Sequence, residues 1–349
     1  MKRRTAPVLI LACLVLSCLL SAVACGKGRP ELNVYTWADY INPEIVARFE
    51  SEHGCRVVID TFDSNESMYA KLKAGAAGYD VITPSSYMVS LMHAQGMLQV
   101  LDHDRLPNLA HVDRDYLAKA IDKTMDHSAP YMVVNTVIGY LESRVPDFVP
   151  STSMFERHDL KGRMTLLNDM RETIGAGLKS LGYSINTIDE RELREARDVV
   201  LRWKKNIAKF ENEQYKTGLA SGEFLLVQGY SGDILQIQKE NPDVRLAVPR
   251  EGIVISVDDL AIPMTAQEKD LAHAFINFLH EPAVAAANSN FIKYLCPNTG
   301  SYPLLGSDLR DNPAVFLSPE LAAKSEILAD LGAANALYVK IWDEIKAAK

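Results

Sequence analysis

An α/β fold of two lobes is predicted by this sequence, and two patterns predict it. Short strand-like runs alternate with helix-like runs over the first hundred residues. Two long extended apolar stretches, 129–142 and 251–263, then bracket a second α/β run. Alternation of this kind builds mostly parallel sheets flanked by helices. Stretches that leave one α/β unit and return to it read as two crossover strands joining the lobes, with a cleft between them and a hinge behind it.

The elements follow in order. Lys2, Arg3 and Arg4 precede an apolar run from Val8 to Leu20, which ends in Ser21-Ala22-Val23-Ala24 and Cys25. That pattern is a signal peptide over residues 1–24, too short and wrongly flanked for a stable membrane span. Cys25 behind small residues resembles a lipobox, with Ala22 where Leu is usual. Lipidation at Cys25 is therefore expected, with 25–30 as a tether holding an extracytoplasmic, periplasmic body to a bacterial membrane. Removing residues 1–24, which carry three positive and no negative charges, leaves 325 residues with a net charge of −11. That length suits two domains with proper cores. The acidic surface argues against nucleic acid and mildly favours cationic ligands. Cys55 and Cys296 remain; a disulfide and two buried free thiols both stay open.

In the body, LNVYT leads to a helix from Pro43 that carries Ile45, Val46 and Phe49 on one face and stops at Gly54. RVVIDTF (56–62) leads through Ser64-Asn65 to a helix with Met68 and Leu72. YDVIT (79–83) leads through Pro84-Ser85 to a helix with Met88, Leu91 and Met92. After the first crossover come RMTLLND (163–169), a helix from Arg171, and a charged helix in which Leu193, Ala196, Val200, Trp203 and Ile207 recur at helical spacing. Trp203 therefore reads as core and its charged neighbours as a solvated face. FLLVQGYSGD precedes the second crossover, and helices finish the chain. Lobe 1 is read as 31–135 plus 259–316, lobe 2 as 136–258, and 317–349 as helices packing across both.

Ligands gather at the carboxyl ends of strands in such sheets. Trp37 and Tyr40 stand at one such end and Ser85, Ser86 and Tyr87 at another, so large aromatics in connecting turns read as walls of a cleft. A lone aromatic at a strand end also commonly caps a core edge.

Six stretches carry a resemblance: VYTWADYINPEIVARFESEHG, YDVITPSSYMVSLMHAQGMLQ, NDMRETIGAGLKSLGYSINT, GIVISVDDLAIP, INFLHEPAVAAANSNFIKYLCPN and DLGAANALYVKIWDEIKA. In this order, across residues 30–349, the chain resembles the substrate-binding proteins of ABC importers, and within them the spermidine/putrescine-binding proteins. The resemblance implies a type II periplasmic-binding fold, monomeric, that closes on a linear polyamine and presents it to a membrane permease. A polyamine needs carboxylates spaced along a groove for its ammoniums and flat rings for its methylenes, each ring also attracting cations by about 0.5–2 kcal/mol. Arginine should be missing from such a groove.

Carried over by that resemblance, Trp37 and Tyr40 are aromatic walls of the first lobe, with Ser85 and Tyr87 at the third strand end. Asp169 and Glu172 are second-lobe carboxylates, with the intervening Arg171 free to point away. Asp258 meets an amine from the hinge side, Tyr230 keeps a ring where the family commonly has Trp, and Tyr294 lies near the pocket's end. Ser256 replaces another common Trp, and Leu328 a frequent Gln, which puts the preferred polyamine in question more than the ligand class.

Helix starts at strand ends also suit anions, but the mapped turns offer carboxylates rather than Arg or Lys. An enzyme is the reading from another class. GYSGD (229–233) lacks the spacing of a nucleophile elbow, and no Ser or Cys has an identifiable His partner. His103 and His111 read as exposed loop rather than metal ligands. No catalytic residue, metal or cofactor is expected.

Overall fold

The computed structural model describes residues 29–118 and 120–348; the expected signal peptide over 1–24 and Cys25 lie outside them. Ten strands form the sheet: β1 (Glu31–Trp37), β2 (Arg56–Phe62), β3 (Val81–Ile82), β4 (Ser128–Leu141), β5 (Met164–Leu166), β6 (Lys209–Phe210), β7 (Leu226–Tyr230), β8 (Val244–Ala247), β9 (Val254–Ala261) and β10 (Glu326–Ile327). Their order is β2-β1-β3-β9-β4-β7-β5-β6, with β8 beside β4 and β10 beside β9. The order divides into two parallel groups, β2-β1-β3 and β7-β5-β6, on either side of the antiparallel pair β9-β4.

β4 belongs to both groups. From Ser128 to Asn135 it pairs with β9, and from Thr136 to Tyr140 with β7. Thr136 is thus the point at which the chain passes from one set of partners to the other. Almost the whole strand is buried, which is why its sequence, APYMVVNTVIGYL, is a continuous apolar run rather than an alternating one.

Each group carries its own core. On the first, Leu32, Val34 and Phe49 pack with Phe275, Phe278 and Ile292. On the second, Leu193, Val200, Trp203 and Tyr215 pack with Ile174 and Leu226. Trp203 is fully buried, as its helical spacing predicts. Burying one such side chain contributes about 1.5–3 kcal/mol. The closing segment divides its contacts. Leu328 joins a third cluster with Tyr35, Ile82 and Val254, whereas the Asn335–Ala347 helix inserts Tyr338, Ile341 and Ile345 into the second core. That helix therefore sits on the second lobe instead of bridging both. Cys55 and Cys296 are buried and unpaired.

Helix starts fall where the sequence places them. Asn42 accepts from the Glu44 amide at 2.9 Å and Ser64 from the Ser67 amide at 3.2 Å, satisfying donors that a first helical turn leaves open. Gly54 closes the first helix in the left-handed conformation, φ 62°.

Candidate functional site

All nine predicted site residues line one cavity: Trp37, Tyr40, Ser85 and Tyr87 from the first lobe's turns, Asp169, Glu172 and Tyr230 from the second's, and Asp258 and Tyr294. Its empty space is about 690 Å³, solvent at its mouth included.

Asp258 stands on β9, opposite Met132 of β4. Tyr40 donates its phenol to Asp258 Oδ2 at 2.6 Å, and Ser85 donates its hydroxyl to Oδ1 at 2.6 Å. Asn65 holds Ser85 in turn, donating to its hydroxyl and accepting its amide, both at 3.0 Å. The carboxylate is thus fixed by two neutral hydroxyls and, among the described residues, has neither a lysine partner nor a helix to cap. Burial pushes its pKa up to about 6, against the two hydroxyls that favour the charge.

Asp169 ends the β5 turn as the N-cap of the Met170–Ser180 helix, its Oδ1 accepting from the amides of Arg171 at 2.9 Å and Glu172 at 3.0 Å. Glu172 follows in the first turn, accepting from the Thr136 hydroxyl at 2.5 Å. Burial, and then the charge of Asp169, hold its carboxyl well above the usual range. Depth does not single out Asp258: Glu172 is 2% exposed and Asp258 5%. Arg171 does point away, donating to the Ala329 carbonyl at 3.2 Å and to Asn186 at 2.9 Å while its guanidinium lies over the Tyr338 ring at 4.8 Å.

The rings are held as firmly. Trp37 donates its indole N–H to the Thr83 carbonyl at 2.9 Å and packs on Phe62, centroids 4.4 Å apart. Tyr40 lies between Tyr131 and Tyr294. Tyr294 crosses the cleft, its phenol donating to Asp233 Oδ1 at 2.7 Å. That approach needs Gly232, since a Cβ there would meet the Tyr294 ring at 2.5 Å.

Asp233, Asn65, Asn212 and Lys216 also line the cavity and were not among the predicted residues. Asp233 was legible: it falls three residues after Tyr230 in GYSGD, in the first turn of the Ser231–Glu240 helix, the same placement that marks Glu172 after Asp169. Lys216 had no such signal, and it corrects the expectation that the cleft offers carboxylates without a basic side chain. Ser256 and Leu328 stand where rings and amides were expected, and both line the cavity.

A description of the bacterial extracellular solute-binding proteins matches residues 44–316. The chain belongs to that family. It is 33% identical over 320 residues to the spermidine/putrescine-binding periplasmic protein of Escherichia coli, covering 91% of this chain and 92% of that protein. It is 32% identical over 347 residues to a putrescine/cadaverine-binding protein of Pseudomonas aeruginosa, covering 95% and 98%. Among solved structures, the TpPotD lipoprotein of Treponema pallidum superposes with a TM-score of 0.81 at 32% identity, covering 90% of this chain and 99% of that one. In this solute-binding protein, then, the cleft between the lobes carries acidic and aromatic groups on every wall, which is chemistry for a cation with an apolar stem.

Proposed function

We propose that the protein captures a linear polyamine, putrescine or spermidine, in this cleft and delivers it to an ABC importer outside the cytoplasm. The observation that carries the reading is the pair of buried carboxylates, Glu172 and Asp258, with half-buried Asp169, in one cavity with five aromatic side chains. Carboxylates removed from water are costly unless a counter-charge joins them. An ammonium chain supplies that counter-charge, and its methylenes lie against the rings. The names of the relatives agree with it. The two lobes close on the ligand about β4 and β9. Calorimetry of the purified protein should give binding with putrescine or spermidine and none with phosphate, sulfate or dicarboxylates. Solution scattering should show the radius of gyration fall on saturation. Binding of an anion in place of a polyamine would overturn the reading.

The same proposal places the protein on a membrane through lipid-modified Cys25, on the basis of the basic, apolar and small residues ahead of it. Mass analysis of the native N-terminus is expected to find Cys25 first and lipidated; a chain starting elsewhere would remove the anchor.

A further inference from the structure

A cation already occupies part of this acidic cleft. Lys216, on the second lobe's Gln214–Ser221 helix, lines the cavity with its side chain 22% exposed. Its Nζ lies 2.9 Å from Glu213 Oε2 and 3.5 Å from Asp39 Oδ2, which reaches across from the first lobe. Asp39 holds a φ of 54°, a left-handed conformation uncommon outside glycine. Burial works against the ammonium, but Asp233, Glu213 and Asp39 outweigh it and keep its pKa above the usual lysine value.

The cavity's acids divide into two groups by the charges they feel. Glu172 responds to Asp169, Arg171 and Asp258, and Lys216 to Asp233, Glu213 and Asp39. Arg171 donates to Ala329 and Asn186 and lies over the Tyr87 ring at 5.8 Å, so its charge reaches Glu172 without Arg171 itself lining the cavity. One group therefore has an ammonium inside the cavity on a flexible stem, and the other has room there for the ligand's.

We propose that Lys216 sets ligand length: its ammonium takes the place that the far amine of a longer polyamine would occupy, so that the cleft is filled by a diamine. The inference rests on the polyamine reading above. A triamine would bring its third charge against Lys216, and discrimination arises from that repulsion rather than from a missing contact. An unbranched apolar replacement of similar length removes the charge while filling the space.

Calorimetry with putrescine and spermidine tests this on three proteins: wild type, Lys216→Met and Lys216→Arg. Wild type should bind putrescine more tightly than spermidine. Lys216→Met should raise the spermidine-to-putrescine affinity ratio by about tenfold or more, because Asp233, Asp39 and Glu213 then lack a cation. Lys216→Arg should keep the ratio within about threefold of wild type. Loss of the Asp39 clasp alone would weaken both ligands in proportion and leave the ratio where it was, so an unchanged ratio in Lys216→Met overturns the role given to Lys216. Failure of all three proteins to bind either amine overturns the polyamine reading itself, and this inference with it.

Discussion

Asp258→Asn is expected to weaken putrescine binding by about 30-fold to 4,000-fold, the 2–5 kcal/mol typical of stripping a buried charge pair of one partner. Depth does not set Asp258 apart, since Glu172 is buried as deeply. Rigidity and weaker coupling to other acids do. Tyr40 and Ser85 pin one oxygen each, so the carboxylate presents a fixed acceptor to an ammonium. Asp169 also raises its pKa, but as the smallest influence, after burial and the two hydroxyls. Glu172 differs, because Asp169 lies close enough to raise its pKa and can carry the charge for the same ammonium. Glu172→Gln should therefore cost about tenfold or less. The melting temperature of ligand-free Asp258→Asn should hold or rise, since the wild-type charge is unfavourable in the empty cleft. Calorimetry of both variants beside their melting curves decides the matter, and wild-type affinity in Asp258→Asn would take Asp258 out of the site.

Stability and affinity should respond to pH in opposite directions. Burial raises Asp258 to about 6 and its neighbour Asp259 to about 7, and lifts Glu172 as well. An acid whose folded pKa lies above its unfolded value, about 4 for a free carboxyl, stabilises the fold fully below that unfolded value. The contribution is lost as pH rises through the folded pKa. The ligand-free protein should therefore melt at higher temperature as pH falls from 8 to 5, with roughly 1–2 kcal/mol gained from Asp258 alone over that range. Carboxylates with lowered pKa, such as Asp60 beside Tyr79 and Lys71 and Asp308 beside Lys293, act below this window. Polyamine binding requires the ionised forms, so affinity should fall over the same range, by about tenfold per pH unit for each proton that must leave. Putrescine at saturation should accordingly flatten or invert the melting trend. Melting temperatures that drop steadily from pH 8 to 5 without ligand would contradict these assignments.

Much of this was legible in the sequence because burial and turn chemistry leave patterns. RVVIDTF became β2 from its first residue to its last, and the run around VVNTVIGY became the shared strand β4. Trp37, Tyr40 and Ser85 were legible as strand-end residues, and the carboxylates through the resemblance. What escaped had no pattern to offer. β6 and β10 are two residues each, too short for any alternation, and exist because a neighbouring edge is there to pair with. Lys216 lies on a helix whose sequence reads as ordinary surface; the fold alone brings it to the cavity wall near Asp233 and within reach of Asp39. Its place depends on tertiary proximity, which spacing along the chain cannot express.

The position of β9 has a consequence for how the chain folds. In the sheet it lies between β3 and β4, yet it is made of residues 254–261, which follow the whole second lobe in sequence. As the chain emerges N-terminus first, β1, β2 and β3 can pair, but β3 and the first half of β4 present bare edges with no partner. By residue 247 the second lobe has every strand of its own, β5 to β8 and the far half of β4. The lobe that begins the chain is therefore the one whose sheet closes last, and in the interval it exposes the unpaired edges that favour misassembly. The eight residues that end that interval also carry Asp258, so the strand that joins β3 to β4 brings the buried charge of the cleft with it, and β10 is left to add beside it.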